Sequence, residues 1–288
     1  MTSSNNSYQP LNISIVGAGI GGLTAAIALR KNGHNVQIFE TAEIKTEIGA
    51  AVAVQANSLR VLDHLGLSKE NLKGVPWKGS VLFPSDGSEE GKTSSWLIPG
   101  MEENGLLCHR SDLYEELKRL ATDGGEGPPA IILRLGTTVV ASDPEQGTVT
   151  LKGGNTVKAQ NSGWSCFRVI FEVSNLLNTP ELEWLHAGVT DSHEDDAGQG
   201  AGMAVEDGGS LGFLLPAGTR REDIPARLEA YQRLRTERGG FVNTKSVAQL
   251  SKGFSLVETK EIQSYLLEYN AMKAAEECYR AYFGTGGA

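Results

Sequence analysis

The sequence of 288 residues has few cysteines, no basic clusters and no long unbroken apolar run. Its 3 cysteines, Cys108, Cys166 and Cys278, lie far apart, and no two share the short spacing of a metal or redox pair. An odd, dispersed set of thiols reads as reduced and fits a cytoplasmic protein without a disulfide frame. Acidic residues outnumber basic ones, 35 to 26, for a net charge of −9. The lysines and arginines are scattered among acids, which excludes the clustered positive face that nucleic-acid binding needs. The uncharged, mostly apolar stretch Ile13 to Leu29 is short for a membrane span and is interrupted at Gly17, Gly19, Gly21 and Gly22. The opening MTSSNNSYQP lacks the basic and apolar regions of a secretory leader, so none is expected. Neither a Ser/His/Asp nor a Cys/His nucleophile set is evident. His193 has acidic neighbours but no further ligands at a sensible spacing, so no metal site is expected.

Glycine, by contrast, is abundant, with 35 residues, and its placement carries the first motif. The stretch ISIVGAGIGGLTAAIALRKNGHNVQIFE covers residues 13–40. Ile13, Ile15 and Val16 read as a buried parallel strand. Gly17, Gly19 and Gly22 follow in G-x-G-x-x-G spacing at the mouth of a helix that Asn32-Gly33 ends. The first glycine serves the tight turn, the second lets a pyrophosphate approach the backbone, and the third lets helix pack on strand. A second strand, Val36 to Phe39, ends on Glu40, whose carboxylate is placed to accept hydrogen bonds from adenosine ribose hydroxyls. This unit binds an ADP-containing cofactor, and on these residues alone NAD and FAD remain equal alternatives.

Further along, EIGAAVAVQANSLRVLDHLGL (47–67) offers a small-residue loop at Gly49-Ala50-Ala51 before a helix over Leu59–Leu65. CHRSDLYEELKRLA (108–121) sets His109-Arg110 before a helix for which Ser111 or Asp112 is the expected N-cap. Thr137–Val140 and Thr148–Leu151 alternate around Asp143 to Gly147 as a hairpin. AGQGAGMAVEDGGSLG (197–212) is a glycine-rich turn running into a helix over Met203–Leu215. A helix is expected over Ile224–Leu250, interrupted at Gly239-Gly240, and another over Tyr265–Phe283.

The order of these blocks, with SGWSCFRVIF (162–171) and EYNAMKAAEECYRAYF (268–283), resembles the salicylate-hydroxylase-like branch of the FAD-dependent aromatic hydroxylases. The resemblance implies an α/β class: a Rossmann-like FAD-binding fold with a parallel sheet, a β-hairpin insertion, a truncated substrate domain and C-terminal helices. It divides the chain into 1–160 (FAD-binding domain), 161–190 (remnant of the substrate domain) and 191–288 (completion of the FAD-binding domain and C-terminal helices). It further implies FAD as cofactor and NAD(P)H as co-substrate. Arg110 then reaches the cofactor's phosphate or ribityl region, Ala51 lies against the flat ring, and Gly198, Gly200 and Ala201 sit at the flavin's pyrimidine edge. His109 reads as structural.

Two signatures of that branch are missing. An Asp-Gly turn should follow TVKAQ (156–160), which instead joins directly to NSGWSCFR. The glycine of a Gly-Asp pair is absent before the glycine-rich turn, leaving Asp191 as the candidate for the ribityl contact or as part of a solvated acidic loop. Between Leu185 and Thr190 the substrate-binding sheet of the branch is also lost, so no catalytic residue is named. Exposed apolar surface is expected around Trp164, Phe167, Ile170 and Phe171. The expected function is an FAD-dependent monooxygenase that hydroxylates or epoxidises a small aromatic or polyketide-like metabolite. The alternatives are an inactive or partner-dependent nucleotide-binding descendant, associated with itself or a full-length oxygenase, and a small NAD-linked reductase.

Overall fold

In the computed structural model the described residues are 10–43, 51–77, 81–82, 93–94, 105–123, 131–143, 146–159, 200–252 and 256–284. The chain begins as a β-α-β unit. Strand β1 (Asn12–Val16) leads into helix α1 (Ile20–Lys31) and returns as β2 (Asn35–Phe39), parallel to β1 with Ile15 opposite Ile38 and Val16 opposite Phe39. A third parallel strand, β8 (Ile132–Arg134), adds to the far side of β2, giving the order β1-β2-β8. β2 is therefore central, and Val36, Ile38 and Phe39 are buried. β1 is only half-buried, and Val16 is 58% exposed where a buried strand is expected from its apolar run. The reason is position: among the described residues β1 forms one edge of this sheet.

Strand β3 (Ala51–Val54) runs into helix α2 (Ala56–Leu65). Next come the short strands β4 (Val75–Pro76), β5 (Val81–Leu82) and β6 (Thr93–Ser94), then β7 (Leu106–His109) and helix α3 (Arg110–Thr122). β7 pairs antiparallel with both β3 and β4. Helix α3 starts at Arg110 with His109 as its cap, two to three residues earlier than Ser111 or Asp112 would have it. The hairpin forms as β9 (Val139–Asp143) and β10 (Thr148–Leu151), and Thr156–Lys158 adds a third antiparallel strand, β11.

After residues 160–199 the described chain resumes as helix α4 (Gly200–Leu214). α1 and α4 pack against each other along a seam of very small residues. A Cβ at Gly21 would lie 3.3 Å from the Ala204 Cβ, one at Gly208 2.7 Å from the Ala25 nitrogen, and one at Gly212 2.3 Å from the Ala28 Cβ. Contacts that advance along both helices together mean the two run parallel, with both N-termini at the same end. α2 follows the same direction on another face of α4, since Asn57 meets Glu206 and Val61 meets Gly209. The opposite end of the bundle is closed by polar groups on the orphan C-terminal carbonyls. Asn32 donates to the Gly212 and Leu215 carbonyls at 2.7 and 3.2 Å, and Arg227 donates to the Leu214 carbonyl at 3.2 Å. His34, fully buried, donates from Nε2 to the Leu215 carbonyl (2.9 Å) and accepts the Leu11 N–H at Nδ1 (3.3 Å), which fixes the neutral tautomer.

Three helices complete the chain: α5 (Ile224–Lys252), α6 (Leu256–Glu268) and α7 (Ala271–Phe283). Two sequence expectations change here. Gly239-Gly240 does not interrupt α5, because buried Arg235, Arg238 and Val242 anchor the helix on either side of the pair. The stretch Tyr265–Phe283 is two helices, divided where Asn270 caps α7 by accepting the Lys273 N–H at 3.0 Å. The anticipated apolar surface around Trp164, Phe167, Ile170 and Phe171 lies outside the described residues.

Two glycine substitutions should act in opposite directions on stability. Alanine gains roughly 1 kcal/mol over glycine in a helix. At Gly240, exposed and with open space around a Cβ, Gly240→Ala should raise the urea midpoint. At Gly212 the clash with Ala28 outweighs that gain, so Gly212→Ala should lower it, by the 1–3 kcal/mol typical of overpacking as an order of magnitude.

A pH effect follows from His34, whose pKa burial pushes down despite its bond to the Leu215 carbonyl. The unfolded chain takes up a proton near the ordinary imidazole value of about 6.5, and the folded chain does so only at lower pH. Stability should be full above that value and should fall as pH drops through 6.5 toward the depressed pKa. Denaturant unfolding at pH 7.5 and 5.5 should show a larger loss for the wild type than for His34→Gln.

Candidate functional site

The site grows from the turn after β1. Gly17 sits at φ +98°, a conformation that favours glycine, and donates its N–H to the Phe39 carbonyl at 2.8 Å, so the turn is held against the end of β2. A Cβ at Gly22 would fall 2.1 Å from the Gly17 carbonyl oxygen, so the helix can approach the turn this closely only with glycine there. Gly19 caps α1 without any side-chain hydrogen bond, and a Cβ on it would meet nothing within 4 Å. The first helical bond runs from Leu23 N–H to the Gly19 carbonyl at 2.9 Å. The amides of Ile20, Gly21 and Gly22 therefore have no carbonyl within the helix to donate to, at the positive end of the α1 dipole.

Glu40 closes the side of this cradle. Its Oε2 accepts the Ala18 N–H at 2.8 Å and its Oε1 the Ala42 N–H at 3.0 Å. A carboxylate has about four lone-pair positions, and these two amides take two of them. The C-terminal end of β2 thus carries the acid at the glycine turn, as its spacing in sequence implied.

The other expected pieces arrive by pairing and packing. Gly200 and Ala201 begin α4, whose first turns lie beside those of α1 through Ala204 and Gly21. Ala51 is directly opposite His109 in the β3–β7 pair, which brings the start of β3 beside Arg110, the first residue of α3. Arg110 and His109 are both exposed. Arg30 donates to the Asp123 carbonyl at 3.1 Å, tying the C-terminal ends of α1 and α3. Helix N-termini carry unpaired N–H groups and a partial positive charge, and several at one end form a natural anion site. Asp191 and Gly198 lie outside the described residues, as does the loop at Gly49-Ala50.

Neither thiol among the described residues, Cys108 or Cys278, is activated as a nucleophile. Burial, aided by Asp112, pushes the Cys108 thiol up to about 11, and burial raises Cys278 as well. Among the described residues no three His, Cys, Asp or Glu side chains come together as a metal site.

One cluster gave no motif in the sequence. Glu206 of α4 is fully buried, accepting from Asn57 at 2.7 Å, from Arg235 at 2.9 Å, and from two nitrogens of Arg238 at 3.0 and 3.2 Å. Asp207 takes the other side of Arg235 at 2.6 Å. Arg238 also donates to the Leu266 carbonyl, and Arg60 to those of Leu267 and Tyr269, so guanidinium groups close the C-terminus of α6. Coulombic attraction from Asp207 and Glu206 holds the Arg235 pKa above its ordinary value although burial opposes it. The available signal was an acidic pair inside an apolar, glycine-rich helix, which reads as exposed until α5 is in place.

Comparison with known proteins fits this arrangement. A family model described as an NAD(P)-binding Rossmann-like domain matches residues 15–46. Hispidin-3-hydroxylase of Neonothopanus nambi is 36% identical over 220 residues, covering 64% of this chain and 49% of that protein. Salicylate hydroxylase of Pseudomonas putida is 33% identical over 134 residues, covering 43% and 29%. The chain thus spans about half or less of the length of these relatives. Among solved structures, CtdE in complex with FAD and a substrate shares the fold at a TM-score of 0.69 and 15% identity, covering 94% of this chain and 98% of that one. The tetrameric form of 2-methyl-3-hydroxypyridine-5-carboxylic acid oxygenase does so at 0.67 and 16%, covering 92% and 98%. With its Rossmann-like βαβ unit, the chain is similar in sequence to FAD-dependent monooxygenases, salicylate hydroxylase among them, and shares the fold of the solved oxygenases.

Proposed function

We propose that the chain binds FAD and acts as a monooxygenase, using NAD(P)H and oxygen to hydroxylate or epoxidise a small aromatic or polyketide-like metabolite. The observation that carries this reading is that the N-termini of α1 and α4 lie side by side at a glycine turn flanked by a carboxylate. The residues present fit the cofactor, because the open face above Gly19 and the closed approach at Gly22 match a backbone cradle for a pyrophosphate. In this reading Gly17, Gly19 and Gly22 hold the pyrophosphate and Glu40 the ribose. Arg110 serves the phosphate or ribityl region, and Ala51, Gly200 and Ala201 line the ring. Asp191 and Gly198 are assigned by sequence alone.

The bound flavin supplies electron transfer and oxygen activation. The chain's own part is electrostatic and steric. The first-turn amides of α4 favour negative charge on the reduced ring, and the absence of side chains at Gly200 lets the ring approach those amides. No side chain is assigned as nucleophile or base. No helix among the described residues is long and apolar enough to cross a membrane, and we place the protein in the cytoplasm.

A second reading is favoured by the absence of the Asp-Gly turn after TVKAQ: such a chain can retain the nucleotide cradle and need a partner for turnover. Association with itself or with a full-length oxygenase would then supply the substrate pocket.

Purified protein incubated with excess FAD and desalted should keep the structured visible bands of bound flavin. Glu40→Ala should weaken FAD binding about tenfold to a hundredfold, the scale of a hydrogen bond to a charged group. Absence of flavin from the wild type would overturn the reading. NADPH-driven oxygen uptake by the isolated chain separates the monooxygenase from the partner-dependent protein, which would bind flavin without turnover.

A further inference from the structure

Helix α4 has to present an ordered first turn, yet its own sequence resists this. Gly200, Gly202, Gly208, Gly209 and Gly212 all fall within it, and glycine is a poor helix former with a flexible backbone. The seam with α1 is tightest in the C-terminal half, at Gly208 and Gly212, and reaches the N-terminal half through Ala204 against Gly21. The N-terminal half has a second support.

That support is the buried ionic cluster. The Arg235 guanidinium touches α4 at three points within little more than a turn: Met203 Sδ at 3.7 Å, Glu206 Oε2 at 2.9 Å and Asp207 Oδ1 at 2.6 Å. Arg238 grips the same Glu206 carboxylate through two nitrogens, and Asn57 reaches it from α2. Behind them the Tyr269 ring lies 4.1 Å from the Arg238 guanidinium. Glu206, Arg235 and Arg238 are all more than nine-tenths buried, and two carboxylates balance two guanidinium groups. A rigid, charge-neutral clamp of this kind fixes position more than it adds stability.

We propose that Glu206 is a positioning residue for the flavin: through Arg235 and Arg238 it fixes the first turn of α4, and its negative charge offsets the guanidinium field at the ring. This rests on the FAD reading above. Removing the charge while keeping the shape leaves two guanidinium groups under-compensated near the ring and frees the turn.

The test uses the full chain as wild type, Glu206→Gln and Arg235→Lys, with folding checked by circular dichroism and thermal unfolding. FAD affinity is read by fluorescence quenching, and the reduction potential of bound flavin by dye-coupled titration. Glu206→Gln should weaken FAD binding at least tenfold and move the potential upward, because extra positive charge favours reduced flavin. Arg235→Lys keeps the charge but lacks the fork that spans Glu206 and Asp207. It should weaken binding severalfold with a smaller change in potential. A folded Glu206→Gln protein with wild-type affinity and potential overturns the proposal. If Glu206→Gln does not fold, Arg235→Lys decides by its affinity. Failure of both variants to fold makes the cluster a stability element only and also overturns it. Wild type without FAD instead refutes the cofactor reading itself.

Discussion

The close contact of α1 with α4 is the constraint on which the rest of the structure depends. These helices begin at Ile20 and Gly200, far apart in the chain, yet they run parallel and meet along Gly21, Ala25, Ala28, Ala204, Gly208 and Gly212. Side chains of ordinary size would push the axes apart and separate the two N-termini. With glycine and alanine at the seam, two sets of orphan amides stand side by side at one end of the bundle. At the other end, Asn32, His34 and Arg227 satisfy the carbonyls that the same alignment leaves open. One packing decision therefore creates both a polar end that needs capping and a polar end available to a ligand.

The local parts of this arrangement were legible in the sequence, and the distant pairings were not. The spacing of Gly17, Gly19 and Gly22, the helix after them and the acid at Glu40 all follow from backbone rules that act within some thirty residues. The structure places each where those rules imply. β8, by contrast, joins β2 from almost a hundred residues away, and nothing in Ile132–Arg134 marks it as a sheet strand. The pairing of Ala51 with His109 is equally hidden, although it is what brings Arg110 to the site region.

Glycine misled the reading in one place for a physical reason. Gly239-Gly240 looks like a helix break by propensity, but propensity amounts to about 1 kcal/mol per residue. Arg235 and Arg238 before the pair are held in ion pairs with a buried carboxylate, Val242 after it is buried, and undoing such anchors costs several times more. Tertiary anchoring wins. The same argument explains why Glu206 escaped notice: its partners on α2 and α5 are 149 and 29 or 32 positions away.

The central claim is that the glycine turn and the start of α4 form one binding surface. Hydrogen exchange with and without FAD tests it most directly. The account predicts that FAD slows exchange together in peptides spanning Gly17–Leu23 and Gly200–Met203, with little change at the distant α1 and α4 C-termini. Protection confined to the first glycine turn, with the start of α4 unchanged, would contradict it.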